Sequence, residues 1–163
     1  MTSADELFRR HSVAGPVPPP EGATAIPSLH ATVLTCMDAR INVYALLGLE
    51  PGEAHVLRNA GGVVTDDVIR SLALSQHKLD TEEVLVVQHT SCGVSTVTED
   101  GFKDELEDST GVRPTWSVEA FSDVEASVRR GVERVRHSEF LPHRDKVRGF
   151  VLDIDKGSLT EVV

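Results

Sequence analysis

Ala31-Thr-Val-Leu-Thr35, with Cys36 directly behind it, and Glu83-Val-Leu-Val-Val87, with His89 just beyond, decide the fold. Both runs are short, rich in β-branched residues and almost continuously apolar. That pattern suits strands buried on both faces of a parallel sheet, where neither side chain direction meets water. Ala54-His-Val-Leu57 and Val147-Arg-Gly-Phe-Val-Leu-Asp-Ile154 read the same way. Helical patterns lie between them. Asp66 to Leu79 starts with two acids at the positive helix end and sets Val68, Ile69, Leu72 and Leu79 on one side. Ser122-Asp-Val-Glu125 is a capping-box pattern, after which Val124, Val128, Val132 and Val135 recur at helical spacing. Strands alternating with helices predict an α/β fold. Its sheet is mostly parallel, with about four strands flanked by helices, and Leu159 to Val163 after the Lys156-Gly157 turn adds a short antiparallel edge strand.

Upstream of this core the reading changes. Ser3-Ala-Asp-Glu6 opens a short helix carrying Leu7 and Phe8, and Gly15-Pro-Val-Pro-Pro-Pro20 ends any helix in an extended linker. Residues 1–27 therefore form an N-terminal arm and Pro-rich linker, and residues 28–163 a single α/β catalytic domain. An arm that carries two large apolar side chains needs another surface on which to bury them.

Composition narrows the partners. Of 163 residues, 40% are hydrophobic and 26% charged, ordinary for a globular protein. Acidic residues number 26 against 16 basic, a formal charge of −10 with no Lys/Arg-rich run, which argues against nucleic acid and anionic membrane surfaces. No apolar stretch reaches the length of a membrane span. MTSADELFRRHS lacks the apolar core of a secretory signal, so the expected location is cytoplasmic.

The chain has two cysteines and no CxxC pair. Cys36 stands in Cys36-Met-Asp-Ala-Arg40 and Cys92 in His89-Thr-Ser-Cys-Gly93, each cluster following a strand. Carboxyl ends of parallel strands are where open α/β sheets place their crevices. Two thiolates and an imidazole are ligands that Zn²⁺ takes, and three protein ligands are a catalytic rather than a closed structural complement. Three residues between Cys36 and Arg40 are too few for a phosphatase loop. A Cys–His nucleophile pair would leave the second cysteine without a task. Asp38 and Arg40 share the turn with Cys36. A carboxylate there either ligates the metal or accepts a hydrogen bond from water, and a bidentate bridge to Arg40 would decide between the two.

Cys36-Met-Asp-Ala-Arg40, Arg58-Asn-Ala-Gly-Gly62 and His89-Thr-Ser-Cys-Gly93, in that order, resemble the signature of the β-class carbonic anhydrases over residues 28 to 154. Short length and Val64-Thr-Asp-Asp-Val-Ile-Arg-Ser71 resemble the compact prokaryotic members, mycobacterial ones included. The resemblance implies a zinc carbonate dehydratase that reversibly hydrates carbon dioxide to bicarbonate and a proton through zinc-bound hydroxide. It implies Cys36, His89 and Cys92 as zinc ligands, Asp38–Arg40 as the family's dyad, and a homodimer in which the arm crosses the neighbour, with pairing into a tetramer left open. A further hypothesis is that Asp38 swings between zinc and Arg40, so that the dyad gates the site and Asp38 is the fourth ligand of a closed state. Gly61 and Gly62 are expected to shape the substrate-pocket wall. Plant-type members carry an active-site Gln shortly before the first Cys; the only glutamines here are Gln76 and Gln88, so their way of orienting bicarbonate does not carry over. His30, His55 and His77 are candidate proton shuttles, though most histidines are ordinary surface or core residues. Two alternatives share the ligands: a zinc hydrolase acting on an analogue such as carbon disulfide, and a non-catalytic zinc-stabilised domain.

Overall fold

The computed structural model describes residues 2–163. Its elements in chain order are α1 (Ser3–Ala14), β1 (Ala31–Cys36), α2 (Val43–Leu47), β2 (Ala54–Asn59), α3 (Asp66–Lys78), β3 (Glu83–His89), α4 (Glu99–Thr110), α5 (Val124–Arg136), β4 (Val147–Asp153) and β5 (Ser158–Glu161). Single 3-10 turns at Ala60–Gly62 and Gly93–Thr96 follow β2 and β3. The sheet runs β2-β1-β3-β4-β5. Its first four strands are parallel, and β5 pairs antiparallel with β4 at the edge. This is the α/β architecture that the apolar runs predict.

The strands alternate between two apolar layers. Val33, Val87, Phe150 and Leu152 pack with Ile41, Val43, Val63 and Phe121 on one face. Leu34, Val84, Val86 and Val147 pack on the other against Val68 and Leu72 of α3 and Val132 and Val135 of α5. With both faces covered, nearly every residue of β1 and β3 is buried, which is why these strands read as unbroken apolar runs. On the α5 side Gly149 of β4 leaves room for the helix: a Cβ there would lie 3.0 Å from Val132 and closer still to Val128.

Helix α3 starts at Asp66 as expected, whereas the caps of α1 and α5 sit one residue from the expected positions. Thr2, not Ser3, caps α1, exchanging side-chain bonds with Asp5. Asp123, not Ser122, caps α5 by accepting the Ala126 amide. Two helices had no counterpart in the sequence reading, α2 and α4. Helix α4 buries no residue fully, and its only large apolar side chains, Phe102 and Leu106, are too few to form the continuous stripe by which a helix is recognised. No helix is long and apolar enough to cross a membrane among the described residues.

Candidate metal centre

Register brings the two chemistry-bearing clusters together. In the β1–β3 pair Thr35 lies opposite Val87, so Cys36 leaves one strand where Gln88 and His89 leave the next. A tight turn through Thr90 and Ser91 then returns the chain to Cys92, with Ser91 in the left-handed region at φ 54. The ligand atoms of Cys36, His89 and Cys92 all lie within 4.8 Å of one another, and all three residues are buried.

Three observations fit zinc. The Cys36 and Cys92 sulfurs are 3.8 Å apart, and two sulfurs at ~2.3 Å from one tetrahedral zinc subtend about that edge. Nε2 of His89 is buried and has no hydrogen-bond partner, a costly state that a metal relieves. Nδ1 of His89 lies 2.8 Å from the Thr90 carbonyl, which accepts only, so the proton resides on Nδ1 and the Nε2 lone pair faces the cysteines. Burial pushes the Cys92 thiol up to about 11; the neighbouring Cys36 adds to this and the Val94 amide opposes it. A thiol raised in this way stays protonated until a cation replaces the proton.

Asp38 and Arg40 meet beside these donors. Arg40 donates from Nε to Oδ1 at 3.0 Å and from Nη2 to Oδ2 at 2.7 Å, and its amide donates to Oδ1 at 2.9 Å. Those bonds hold the Asp38 carboxyl well below the usual carboxylate range. Oδ2 also stands 3.8 Å from Nε2 of His89. Arg40 reaches across the site as well, donating to the Ser91 carbonyl at 3.2 Å, so one side chain touches both ligand-bearing segments.

The segment after β2 encloses Cys36. The Gly61 amide donates to its Sγ at 3.3 Å. Gly62, at φ 61, lies so close that a Cβ would sit 2.8 Å from the Cys36 nitrogen and 3.1 Å from the Val87 carbonyl oxygen. Asn59 ties the turn shut with both amide atoms on the Val63 backbone. Both glycines are buried. Beside them a largely apolar cavity of about 570 Å³ opens between Asn59, Val63, Val94, Phe102 and Trp116. Val94, Phe102 and Trp116 carried no signal in sequence, since a hydrophobic wall formed from three separated segments has no motif. The candidate shuttle histidines are engaged elsewhere: His30 with the Asp80 carbonyl, His55 with Ser75 and the Ala25 carbonyl, and His77 with the Phe140 carbonyl.

An open, mostly parallel sheet with a buried Cys-His-Cys donor triangle at its carboxyl edge defines the class. A profile of the carbonic anhydrase family matches residues 31–159, and the chain belongs to that family, in its β class. Among its relatives, β-carbonic anhydrase 1 of Mycobacterium tuberculosis is 49% identical over 148 residues, 91% of this chain and 87% of that protein. A carbon disulfide hydrolase of Acidianus is 33% identical over 150 residues, 76% of this chain and 72% of the relative. The crystal structure of the Streptococcus mutans carbonic anhydrase superposes with a TM-score of 0.89 at 36% identity, covering 100% of this chain and 99% of its own. Carbon dioxide hydration is the general reaction of the family.

Proposed function

We propose that this chain is a zinc-dependent carbonate dehydratase that reversibly converts carbon dioxide and water to bicarbonate and a proton. The observation that carries the reading is the buried triangle of two sulfurs and the unpartnered His89 Nε2. Cys36, His89 and Cys92 hold the metal. Zinc, when bound there, supplies the Lewis acidity that makes water a nucleophile near neutral pH.

Asp38 is an ionised acceptor, kept so by Arg40. It takes a hydrogen bond from the attacking water and so orients its lone pair. The cavity walled by Val63, Val94 and Phe102 offers carbon dioxide a largely apolar surface. Gly61, beside Val63 and Val94 and with its amide on Cys36 Sγ, stands between that cavity and the donors, whereas Gly62 packs against the strand backbones. Asp38 also gates the site. While Arg40 holds it the site is open; released, the carboxylate, whose Oδ2 already stands 3.8 Å from His89 Nε2, would be the group to take the remaining position as fourth ligand and close the site.

Leu7 and Phe8 are 64% and 72% exposed, and α1 buries nothing on its own protomer. This supports a homodimer whose arm (residues 1–27) covers the partner's catalytic domain (28–163); pairing of dimers into a tetramer and a cytoplasmic location are parts of the proposal on which this exposure does not bear. Stopped-flow carbon dioxide hydration across pH, on protein of measured zinc content, tests the proposal. Absence of zinc, or zinc-loaded protein inactive at every pH, overturns it, and the second result would leave a zinc-stabilised domain. Likeness to the Acidianus carbon disulfide hydrolase supports a second reading with the same ligands, which release of hydrogen sulfide from carbon disulfide would reveal.

A further inference from the structure

We infer that Arg58 is a positioning residue whose guanidinium, by gripping the carbonyls of Cys36 and Asp38, locks the first metal ligand and the Asp38–Arg40 pair into one rigid turn. Arg58 stands near the end of β2, opposite Thr35 of β1. One residue further, Cys36 pairs with Asn59 and β1 ends. The carbonyls of the following turn have no strand partner, that of Asp38 accepting only the local Ile41 amide at 3.0 Å from the backbone. The Met37 amide still reaches the Asn59 carbonyl at 2.8 Å. On either side of it, Nε of Arg58 donates to the Cys36 carbonyl at 2.9 Å and Nη2 donates to the Asp38 carbonyl at 2.7 Å.

These are charge-assisted bonds from a planar fork to two acceptors, a geometry that guanidinium satisfies and an ammonium does not. Two arginines therefore act on Asp38 from opposite ends. Arg40 takes the carboxylate, whereas Arg58 fixes the peptide from which the side chain springs. Because the same fork holds Cys36, the sulfur and the carboxylate cannot drift independently. The neighbouring Gly61 amide on Cys36 Sγ completes the hold from the same segment. Support of this kind around a metal ligand typically changes metal affinity about 10–100-fold.

The test compares wild type with Arg58→Ala and Arg58→Lys. Three quantities are read: zinc affinity of the metal-stripped protein by chelator competition, visible absorption of the cobalt(II)-loaded protein, and the Tm of the stripped protein. Arg58→Ala should bind zinc about 10–100-fold more weakly, with shifted cobalt bands, while the stripped protein still melts cooperatively. Arg58→Lys keeps the charge but loses the fork, and should recover less than half of that loss on a logarithmic scale. Wild-type zinc affinity and cobalt bands in Arg58→Ala would overturn the inference. So would full rescue by Lys, or a loss of cooperative melting in both variants, which would make Arg58 merely structural. The inference rests on the zinc reading above, and the two fail differently: wild type that takes up no zinc sinks that reading, whereas equal uptake by wild type and Arg58→Ala sinks only this one.

Discussion

Gly62→Ala is the substitution that the site should tolerate least for its size. Gly62 has φ 61, and a Cβ would meet the Cys36 nitrogen at 2.8 Å, the Thr35 carbonyl carbon at 2.9 Å and the Val87 oxygen at 3.1 Å. All three are backbone atoms of adjacent buried strands, so none can rotate away. Left-handed backbone costs a residue bearing a Cβ ~1–2 kcal/mol, and overpacking a filled core costs ~1–3 kcal/mol. Against these, alanine stiffens the unfolded chain, which returns ~0.4–1 kcal/mol. The net loss is about 1–5 kcal/mol, centred on ~3, a fall in Tm of roughly 2–18 °C for a domain of this size. Two glycines separate the contributions. Gly48 at the end of α2 has φ 65 with nothing within 4 Å, so Gly48→Ala carries the backbone strain alone and should lose roughly 0–6 °C. Gly93 has neither the positive φ nor a close neighbour, and Gly93→Ala should be near neutral. Thermal unfolding of metal-stripped protein under reducing conditions ranks the three. If Gly62→Ala melts no lower than Gly48→Ala, the steric argument is wrong.

Other outcomes follow from the same geometry. Arg40→Ala frees the Asp38 carboxyl from the group that depresses its pKa. A depressed carboxyl stabilises the fold fully above its unfolded value near pH ~3.9 and loses that contribution as pH falls through the folded value. The Tm difference between wild type and Arg40→Ala should therefore shrink from pH 5 to pH 2; a constant difference refutes the linkage. In the same variant the proposed gate should favour closure, moving the pH–rate profile to higher pH, and an unchanged profile sinks the gating. Metal binding near pH 8 should release at least the Cys92 proton, since burial holds that thiol protonated; calorimetry in two buffers of different ionisation enthalpy would show no difference if it does not. Thr90 Oγ1 accepts the Ile154 amide at 3.0 Å, so Thr90→Val should cost about 1–3 kcal/mol by stranding that N–H, whereas unchanged denaturant stability would mean that water replaces the hydroxyl.

The parts legible in sequence were those whose signal lies in side-chain type. Val33, Leu34, Val86 and Val87 reveal buried strands because both sheet faces are covered, and Cys36, His89 and Cys92 stand out because their donors sit at strand ends. Asp38 and Arg40 were legible as a pair through their spacing. Arg58 was not, because its partners are backbone carbonyls, which every residue possesses. Helix α4 escaped for a related reason. Glu99 and Lys103 pair on its surface, and the Glu99 carboxylate accepts the Val118 amide, but no apolar face announces the helix. Gly62 was legible as a special residue, yet the strand backbones that make it so come from β1 and β3, distant in sequence.

The pairing of Thr35 with Val87 has a consequence for how the protein matures. Cys36 ends one strand, His89 ends another with Cys92 just beyond it, and α2, β2 and α3 lie between them in sequence. No short peptide of this chain can gather the three donors, unlike a zinc finger, whose ligands are local enough for metal to drive folding. Here sheet assembly must come first, and a slip of one residue between β1 and β3 would turn side chains to the opposite face. The proposed zinc would therefore be taken up late: a nascent or misregistered chain would offer it no site, and loading would report that the sheet has closed in its native register.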